Sequence, residues 1–271
     1  MNYKVKIRNF FRELGIDIRR IRSNKTHEWS VLASSLREIC DKNPSQFEVS
    51  FLIHCMKHCC ESQSQIFQDM FVDFVLNSKE NGFFVEFGAT DGINLSNSYF
   101  FERRRGWTGI LAEPSKQFHH ILGDNRTAKI DTRCVWKESG KQIQFLEVGD
   151  TGVSTIESFS KNDNRSFLRK ETGRYDVETI SLVDLLLFHN APKNIDYLSI
   201  DTEGSEYDIL QAIDFDSVCF SVITVEHNYT GAREKISSLL RKAGYINCLS
   251  GFSQCDDWYV HQSILSQKEL N

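Results

Sequence analysis

The stretch Phe-Phe-Val-Glu-Phe-Gly-Ala-Thr-Asp-Gly at residues 83–92 decides the fold. Apolar residues on both sides of Glu86 predict a short buried strand, which runs directly into a turn carrying Gly88 and Gly92. A run of residues compatible with a helix begins shortly after the turn. Strand, tight turn and helix form the first unit of a doubly wound α/β sheet, whose ligands bind at the carboxyl ends of the strands. The turn is therefore the expected place for chemistry.

This turn does not suit a dinucleotide. A dinucleotide site has three glycines in the pattern G-x-G-x-x-G, whereas the turn has Thr90 in place of the middle glycine. Asp91 and Glu86 put two carboxylates where a pyrophosphate would lie, and they favour a cationic ligand instead. S-adenosylmethionine carries a sulfonium, an ammonium and a ribose diol, so the turn indicates this cofactor. The plainer interpretation is a buried strand followed by a polar turn.

A second acid agrees with an adenosine-bearing cofactor. Residues 107–114 predict a strand that ends at Glu113, and an acid at this place in nucleotide-binding α/β folds accepts hydrogen bonds from the ribose hydroxyls. A third strand, predicted over residues 129–136, offers Asp131 and Trp136 to the edge and face of an adenine.

A helix predicted over Ser64 to Val75 precedes the first strand and can cover the cofactor pocket. Gln65 and Asp69 lie four residues apart on its polar side. They are candidates to contact the amino-acid end of the cofactor. The same spacing also fits an exposed polar face.

Two further predicted strands end in polar residues. Asp201 and Glu203 follow the fourth strand, and Glu226, His227 and Asn228 follow the fifth. His227 is the natural general base for a hydroxyl acceptor, because its unperturbed pKa lies near neutrality. Two alternatives stay open. In the first, Mg²⁺ is bound by Asp201, Glu226 and Asn228 and lowers the pKa of the acceptor hydroxyl. In the second, Asp201 and Glu203 have no catalytic role and only satisfy the start of the next helix.

The composition fits one large α/β domain with an appendage. The chain has 271 residues, of which 40% are hydrophobic and 25% charged, and its net charge is −5. No apolar run is long enough for a transmembrane helix. Eight cysteines without metal-type spacing predict a reduced, cytoplasmic protein. The acidic body argues against nucleic acid as a partner, and the sequence does not indicate an oligomeric state.

The N-terminal residues differ from the rest in charge. Residues 1–25 contain eight basic and two acidic residues, which fits either a solvated extension or a basic amphipathic helix on an anionic membrane surface. Helices are predicted over residues 27–41 and 44–61. We therefore divide the chain into a basic, helical extension over residues 1–62 and a main domain over residues 63–271. If the basic segment binds lipid, the protein lies at the inner membrane face and its acceptor is lipid-linked.

Four blocks of the sequence together resemble the FkbM-type methyltransferases. They are Val-Glu-Phe-Gly-Ala-Thr-Asp-Gly (85–92), Gly-Ile-Leu-Ala-Glu-Pro (109–114), Tyr-Leu-Ser-Ile-Asp-Thr-Glu-Gly-Ser-Glu (197–206) and Val-Glu-His-Asn (225–228). The resemblance covers Ser64 to Val260 and implies the class I methyltransferase fold, a Rossmann-like, seven-stranded α/β sheet with helices on both faces. It also implies methyl transfer from S-adenosylmethionine to hydroxyl groups of sugars or polyketide products.

The resemblance also implies roles for residues. The cofactor contacts that it implies are Glu86, Gly88, Asp91 and Glu113, and we add Gly92 as the second glycine of the turn. Asp201, Glu203 and His227 are expected to face the acceptor. We expect an O-methyltransferase acting on a sugar hydroxyl of a surface polysaccharide or glycolipid, with the polar segment 149–176 as a lid or acceptor-recognition loop. The alternatives are a small-molecule or polyketide O-methyltransferase and a non-catalytic binding or trafficking module on the same fold.

Overall fold

The computed structural model of the protein describes residues 44–149, 154–157 and 171–268. The basic segment 1–25 and the helix predicted over residues 27–41 lie outside these residues. The described helices are α1 (Gln46–His58), α2 (Gln68–Val75), α3 (Tyr99–Arg104), α4 (His119–Asn125), α5 (Leu182–Phe188), α6 (Glu206–Gln211), α7 (Ala232–Lys242) and α8 (Gln262–Lys268). The described strands are β1 (Phe83–Phe87), β2 (Thr108–Ala112), β3 (Lys129–Asp131), β4 (Cys134–Trp136), β5 (Gln142–Val148), β6 (Thr155–Ile156), β7 (Glu171–Ser181), β8 (Asn194–Ile200), β9 (Cys219–Glu226), β10 (Tyr245–Cys248) and β11 (Asp256–His261). Among these described helices, none combines the length and the apolar character that a membrane span requires.

Seven strands form the main sheet in the order β10-β11-β9-β8-β1-β2-β3. β11 runs antiparallel to β9 and β10, and the other pairs are parallel. This confirms the predicted seven-stranded, Rossmann-like sheet. β1 pairs with β2 on one side and with β8 on the other, so the strand order reverses there. The crevice at such a switch point is where doubly wound sheets bind their ligands.

The strands of the main sheet are apolar on both faces, because helices cover each face. Phe84 and Tyr197 lie in one buried core with residues of α1 and α2. Their neighbours in sequence, Val85 and Leu198, lie in the other core with residues of α5, α6 and α7. α1 thus shares a core with β1, although it falls in the extension predicted over residues 1–62. The division at residue 62 stays a prediction.

A second sheet has the order β4-β7-β5-β6, and it corrects two predictions. The strand predicted over residues 129–136 is two strands, of which β3 joins the main sheet and β4 the second sheet. The chain turns between them at Arg133, whose guanidinium binds the Asp131 carboxylate at 2.6 Å. Part of the polar segment 149–176 is strand and not loop, because β7 pairs with β5. On β7, Val177 is buried while its two neighbours in sequence are exposed. Because the exposed residues are polar, the composition of this segment does not indicate a strand.

Arg126, which the sequence did not single out, ties the loop after β1 to the end of α4. Its side chain is fully buried. It donates from Nε to Glu102 at 2.9 Å, from Nη1 to the Gly92 carbonyl at 3.0 Å and from Nη2 to the Ser98 hydroxyl at 2.9 Å. Nη1 also lies 3.8 Å from Glu86 Oε2. Two carboxylates in a water-poor environment therefore depend on this cation.

Removing the Arg126 side chain tests that dependence. We expect Arg126→Ala to lower the free energy of unfolding by about 3–5 kcal/mol, because it leaves buried carboxylates without their cation. Arg104→Ala is the control, since it removes the same charge from a side chain that is 60% exposed in a pair with Glu61. Such surface pairs contribute about 0–1 kcal/mol. Urea unfolding measures both variants, and equal losses would contradict the assigned role of Arg126.

Candidate active site

A cavity lies at the carboxyl edge of the main sheet, beside the switch point. Gly88, Glu113 and Asp201 line it from the loops that follow β1, β2 and β8. The lining residues of the second sheet are Cys134, Val135, Phe145 and Ile156. The volume of the cavity is about 40 Å³. The two sheets therefore enclose a narrow space.

Gly88 brings the loop after β1 against the tip of β8. Its φ is +74°, a left-handed conformation that favours glycine. A Cβ at this position would lie 2.2 Å from the Asp201 carbonyl oxygen, which is far inside van der Waals contact. The N–H of Gly88 also donates to the Ala112 carbonyl at 3.1 Å. The first turn glycine is thus needed where the ends of three strands meet.

Glu113 holds the turn after β1 in place. Its buried carboxylate accepts hydrogen bonds from the N–H groups of Thr90 at 2.7 Å and Ser115 at 2.8 Å. Thr90 has a left-handed φ of +46°, so a threonine stands where the dinucleotide pattern has glycine. Burial raises the pKa of Glu113 to about 7, and the negative charges of Asp201 and Glu147 add to the rise. At neutral pH this carboxyl group is close to its titration midpoint.

Three of the predicted acids come together beside the cavity. One carboxylate oxygen from each of Asp201, Glu203 and Glu226 lies within 4.8 Å of the other two. Glu203 and Glu226 are buried, and Asp201 and Glu203 also line the cavity. A second group of this kind joins Glu226 to Cys255 and Asp256 around the start of β11. Oxygen donors at this spacing can hold a divalent cation or face a positively charged ligand.

His227 is buried and is not among the residues that line the cavity. The N–H of Tyr229 donates to its Nδ1 at 3.0 Å, so the neutral ring carries its proton on Nε2. Nε2 lies 3.7 Å from the Asp257 carboxylate. Burial lowers the pKa of His227, although the charge of Asp257 opposes this. The predicted general base has no free acceptor nitrogen in this geometry, and its catalytic role stays a prediction.

Asn228 and Glu86 are bound to neighbouring loops. The N–H of Asn228 donates to the Cys255 carbonyl at 3.2 Å, and the part of Asn228 in a metal site stays a prediction.

Glu86 accepts hydrogen bonds from the N–H of Asn97 at 2.6 Å and the hydroxyl of Ser96 at 3.0 Å. Burial raises the pKa of Glu86. Its carboxylate therefore organises the loop after the turn, and Glu86 is not among the residues that line the cavity.

Asp91 and Gly92 shape the rest of the turn. The Asp91 carboxylate accepts the N–H of Ile93 at 2.8 Å. Gly92 has a φ of +78°, and a Cβ there would lie 2.7 Å from the Leu122 side chain, so this glycine permits packing against α4. Neither residue lines the cavity. Their contacts with a cofactor, like that of Glu86, stay predictions.

The helix predicted over Ser64 to Val75 begins at Gln68, which places Gln65 in the preceding turn. Asp69 is fully buried and accepts hydrogen bonds from two serine hydroxyls at 2.7 and 2.6 Å, so it closes that turn. The glutamine that reaches the carboxyl edge is Gln68, whose Nε2 donates to Asp256 Oδ2 at 2.8 Å. Gln68 belongs to the same predicted polar side, but the four-residue spacing favoured Gln65 and Asp69.

Asp131 and Trp136 lie at the junction of the two sheets. His189 Nε2 lies 2.9 Å from Asp131 Oδ2, the oxygen to which Arg133 also donates. Burial raises the pKa of Asp131, but the hydrogen bonds from Arg133 and His189 outweigh it, so the pKa is lowered. The Lys137 ammonium lies 5.4 Å from the centre of the Trp136 ring. Neither predicted residue lines the cavity, and contact with an adenine stays a prediction.

Residues 86–246, more than half of the chain, match the family model described as the methyltransferase FkbM domain. No curated protein matches the sequence at a significant level. Among solved structures, the methyltransferase FkbM from Methylobacillus flagellatus KT is 10% identical, with a TM-score of 0.43, over 95% of this chain and 70% of that one. The precorrin-6y C5,15-methyltransferase from Geobacter metallireducens GS-15 is 10% identical, with a TM-score of 0.35, over 72% and 87% of the two chains. The N-terminal domain of human METTL16 is 11% identical, with a TM-score of 0.37, over 90% and 96%. None of these TM-scores reaches 0.5, so the family assignment rests on the sequence match.

One added methyl group at Gly88 tests the close approach of the turn to β8. We expect Gly88→Ala to lower the free energy of unfolding by about 1–3 kcal/mol more than its control, because the new Cβ overlaps the Asp201 carbonyl. The control is Gly140→Ala, which has a similar φ of +75° and, among the described residues, no heavy atom within 4 Å of the added carbon. Urea unfolding gives both values. Equal effects would mean that the loop shifts away from β8 freely.

The raised pKa of Glu113 makes stability depend on pH. The folded protein keeps this proton up to a pH of about 7, whereas the unfolded chain releases it near the ordinary value of 4.5. Between these values the unfolded state binds fewer protons, so the free energy of unfolding falls as the pH rises, by about 3 kcal/mol in all. Urea unfolding across this range, compared with Glu113→Gln, isolates the contribution. The same fall in both proteins would assign the titration to another group.

Proposed function

Because the chain belongs to the FkbM methyltransferase family, we propose that it transfers a methyl group from S-adenosylmethionine to a sugar hydroxyl of a surface polysaccharide or glycolipid. Membership of the family accounts for the methyl transfer. The oxygen acceptor and the sugar are the proposed part. The observation that carries them is the gathering of Asp201, Glu203 and Glu226 beside the cavity, because a hydroxyl must lose its proton as its oxygen is methylated.

The residues around the cavity fit S-adenosylmethionine in charge and in the position of their acceptors. Glu113 ends the second strand, where its carboxylate would accept hydrogen bonds from the ribose hydroxyls. Asp201 and Glu203 would offset the positive charges of the sulfonium and ammonium groups. When bound, the cofactor supplies an electrophilic methyl group on a positively charged sulfur.

Positioning of the acceptor is the larger part of the proposed catalysis. Methyl transfer to oxygen is an in-line displacement, and a fixed geometry can lower the barrier by about 7–11 kcal/mol. A general base adds a factor of about 10²–10⁴. Asp201 and Glu203 are carboxylates that line the cavity, which supports them as the proposed acceptors of the hydroxyl proton. His227, whose Nδ1 is occupied by a backbone N–H, is the weaker candidate.

The same oxygens offer an alternative use, in which they hold Mg²⁺. This ion prefers carboxylate and amide oxygens and lowers the pKa of a hydroxyl bound to it. Asp201, Glu203 and Glu226 would bind it, with the Asn228 amide as the further predicted ligand. EDTA distinguishes the two uses, because methyl transfer is insensitive to EDTA if a carboxylate acts directly as the base.

Labelled S-adenosylmethionine tests the function directly. We expect the purified protein to transfer the labelled methyl group to the carbohydrate of cell-surface glycan extracts, in a form stable to mild alkali because a methyl ether is not hydrolysed as an ester is. Glu113→Gln should weaken cofactor binding by about tenfold, since a neutral amide accepts hydrogen bonds more weakly than a carboxylate. Glu178→Gln, exposed on β7, is the control. Label confined to small apolar products would support the polyketide alternative instead.

A further inference from the structure

A second concave surface, the α7 groove, lies between α7 and the strands β10 and β11. The residues that define it are Arg233, Ser237 and Arg241 on α7, Asn247 on β10, Ser250 after β10 and Asp257 on β11. Its volume is about 800 Å³. Each described side chain that lines it is polar or charged. The groove therefore suits a ligand rich in hydrogen-bonding groups and not an apolar chain.

The charges in the α7 groove are nearly balanced. Arg233 donates from Nε and Nη2 to the two oxygens of Asp257 at 3.0 and 2.8 Å, and Asp257 is buried, so this pair is a fixed part of the wall. The other charged lining residues are Arg241, Lys242 and Glu234. One excess positive charge is little for a polyanion, which needs several cations along its backbone. A neutral, hydroxyl-rich ligand fits this wall better.

Tyr229 lies in the loop that leads from the acid cluster to α7. This short loop runs from Glu226, at the end of β9, to the first residues of α7. The side chain of Tyr229 is 64% exposed, yet its N–H is bound to His227 and its ring packs edge-to-face on the His227 ring at 5.3 Å. Its φ is +57°, an unusual value for an aromatic residue. Strain of this kind persists where the surroundings impose it, and it concentrates at functional sites.

We propose that Tyr229 and the α7 groove form a saccharide subsite, which holds the sugar units of the acceptor next to the unit that is methylated. This inference rests on the proposed function. An aromatic ring has a negative face, and the C–H groups of a sugar ring present weakly positive hydrogens to it. The hydroxyl, amide and guanidinium groups of the groove offer donors and acceptors to sugar hydroxyls. A ring that is already fixed by His227 loses little freedom when a sugar stacks on it.

Binding of neutral tetrasaccharides to the full chain tests the subsite without depending on turnover. Saturation-transfer NMR with S-adenosylhomocysteine present should show that at least one member of a panel binds. Tyr229→Ala should weaken this binding about three- to tenfold, whereas Tyr229→Phe keeps the ring and should preserve it. Asn247→Ala, in the groove wall, should weaken it as well. Phe188→Ala is the matched control, because Phe188 is 65% exposed on α5 and lies outside the groove.

Three results would overturn the subsite. The first is that no tetrasaccharide of the panel binds. The second is that Tyr229→Ala and Phe188→Ala change tetrasaccharide binding equally. The third is that the groove binds a sulfated polyanion in preference to every neutral sugar. Methyl transfer separates the two proposals. If carbohydrate is methylated and Tyr229→Ala leaves the KM for it unchanged, the subsite is wrong and the function stands. If tetrasaccharides bind at Tyr229 and no carbohydrate is methylated, the function is wrong and the sugar site stands.

Discussion

Buried carboxylates at the carboxyl edge of the main sheet must be satisfied with little help from water, and the loops around the site take their shape from this requirement. Glu113 accepts hydrogen bonds from the loop after β1, and Glu206 accepts the N–H of Gly204 at 2.9 Å in the loop after β8. In both loops the backbone turns sharply at the residue that donates its N–H to the carboxylate. Thr90 and Gly204 accordingly have positive φ values of +46° and +124°. The acids thus fix the backbone on which any ligand must rest.

The distribution of positive charge around these acids separates structural from functional carboxylates. Glu86 lies within 4 Å of the buried Arg126, and Asp257 is paired with Arg233. These two acids carry their own counter-charges. Asp201 and Glu203 line the cavity, where a low effective dielectric strengthens their attraction for a cation. A methyl donor with a sulfonium group is the kind of ligand that such a field selects.

The architecture could be predicted from the sequence to a large extent, because parallel strands that end in acids bring those acids to one edge whatever the details of packing. Asp201 and Glu226 come together for this reason. The partners that individual side chains bind could not be predicted. His227 loses its free nitrogen to the N–H of the second residue after it, and Asp131 is taken by Arg133 and by a histidine from another element. Each outcome depends on a backbone angle or a distant partner that residue spacing does not encode.

The central position of β1 also affects how the chain reaches its native state. Phe84 pairs with Gly109 in β2 nearby, but also with Tyr197 in β8, which is far along the chain. Pairing at such separation is slow, because closing a long loop loses entropy before the contact is made. During synthesis from the N-terminus, β1 and β2 leave the ribosome well before their partner β8 exists. Their apolar faces are then open to aggregation, so this enzyme is expected to rely on chaperones until the second half of its sheet has been made.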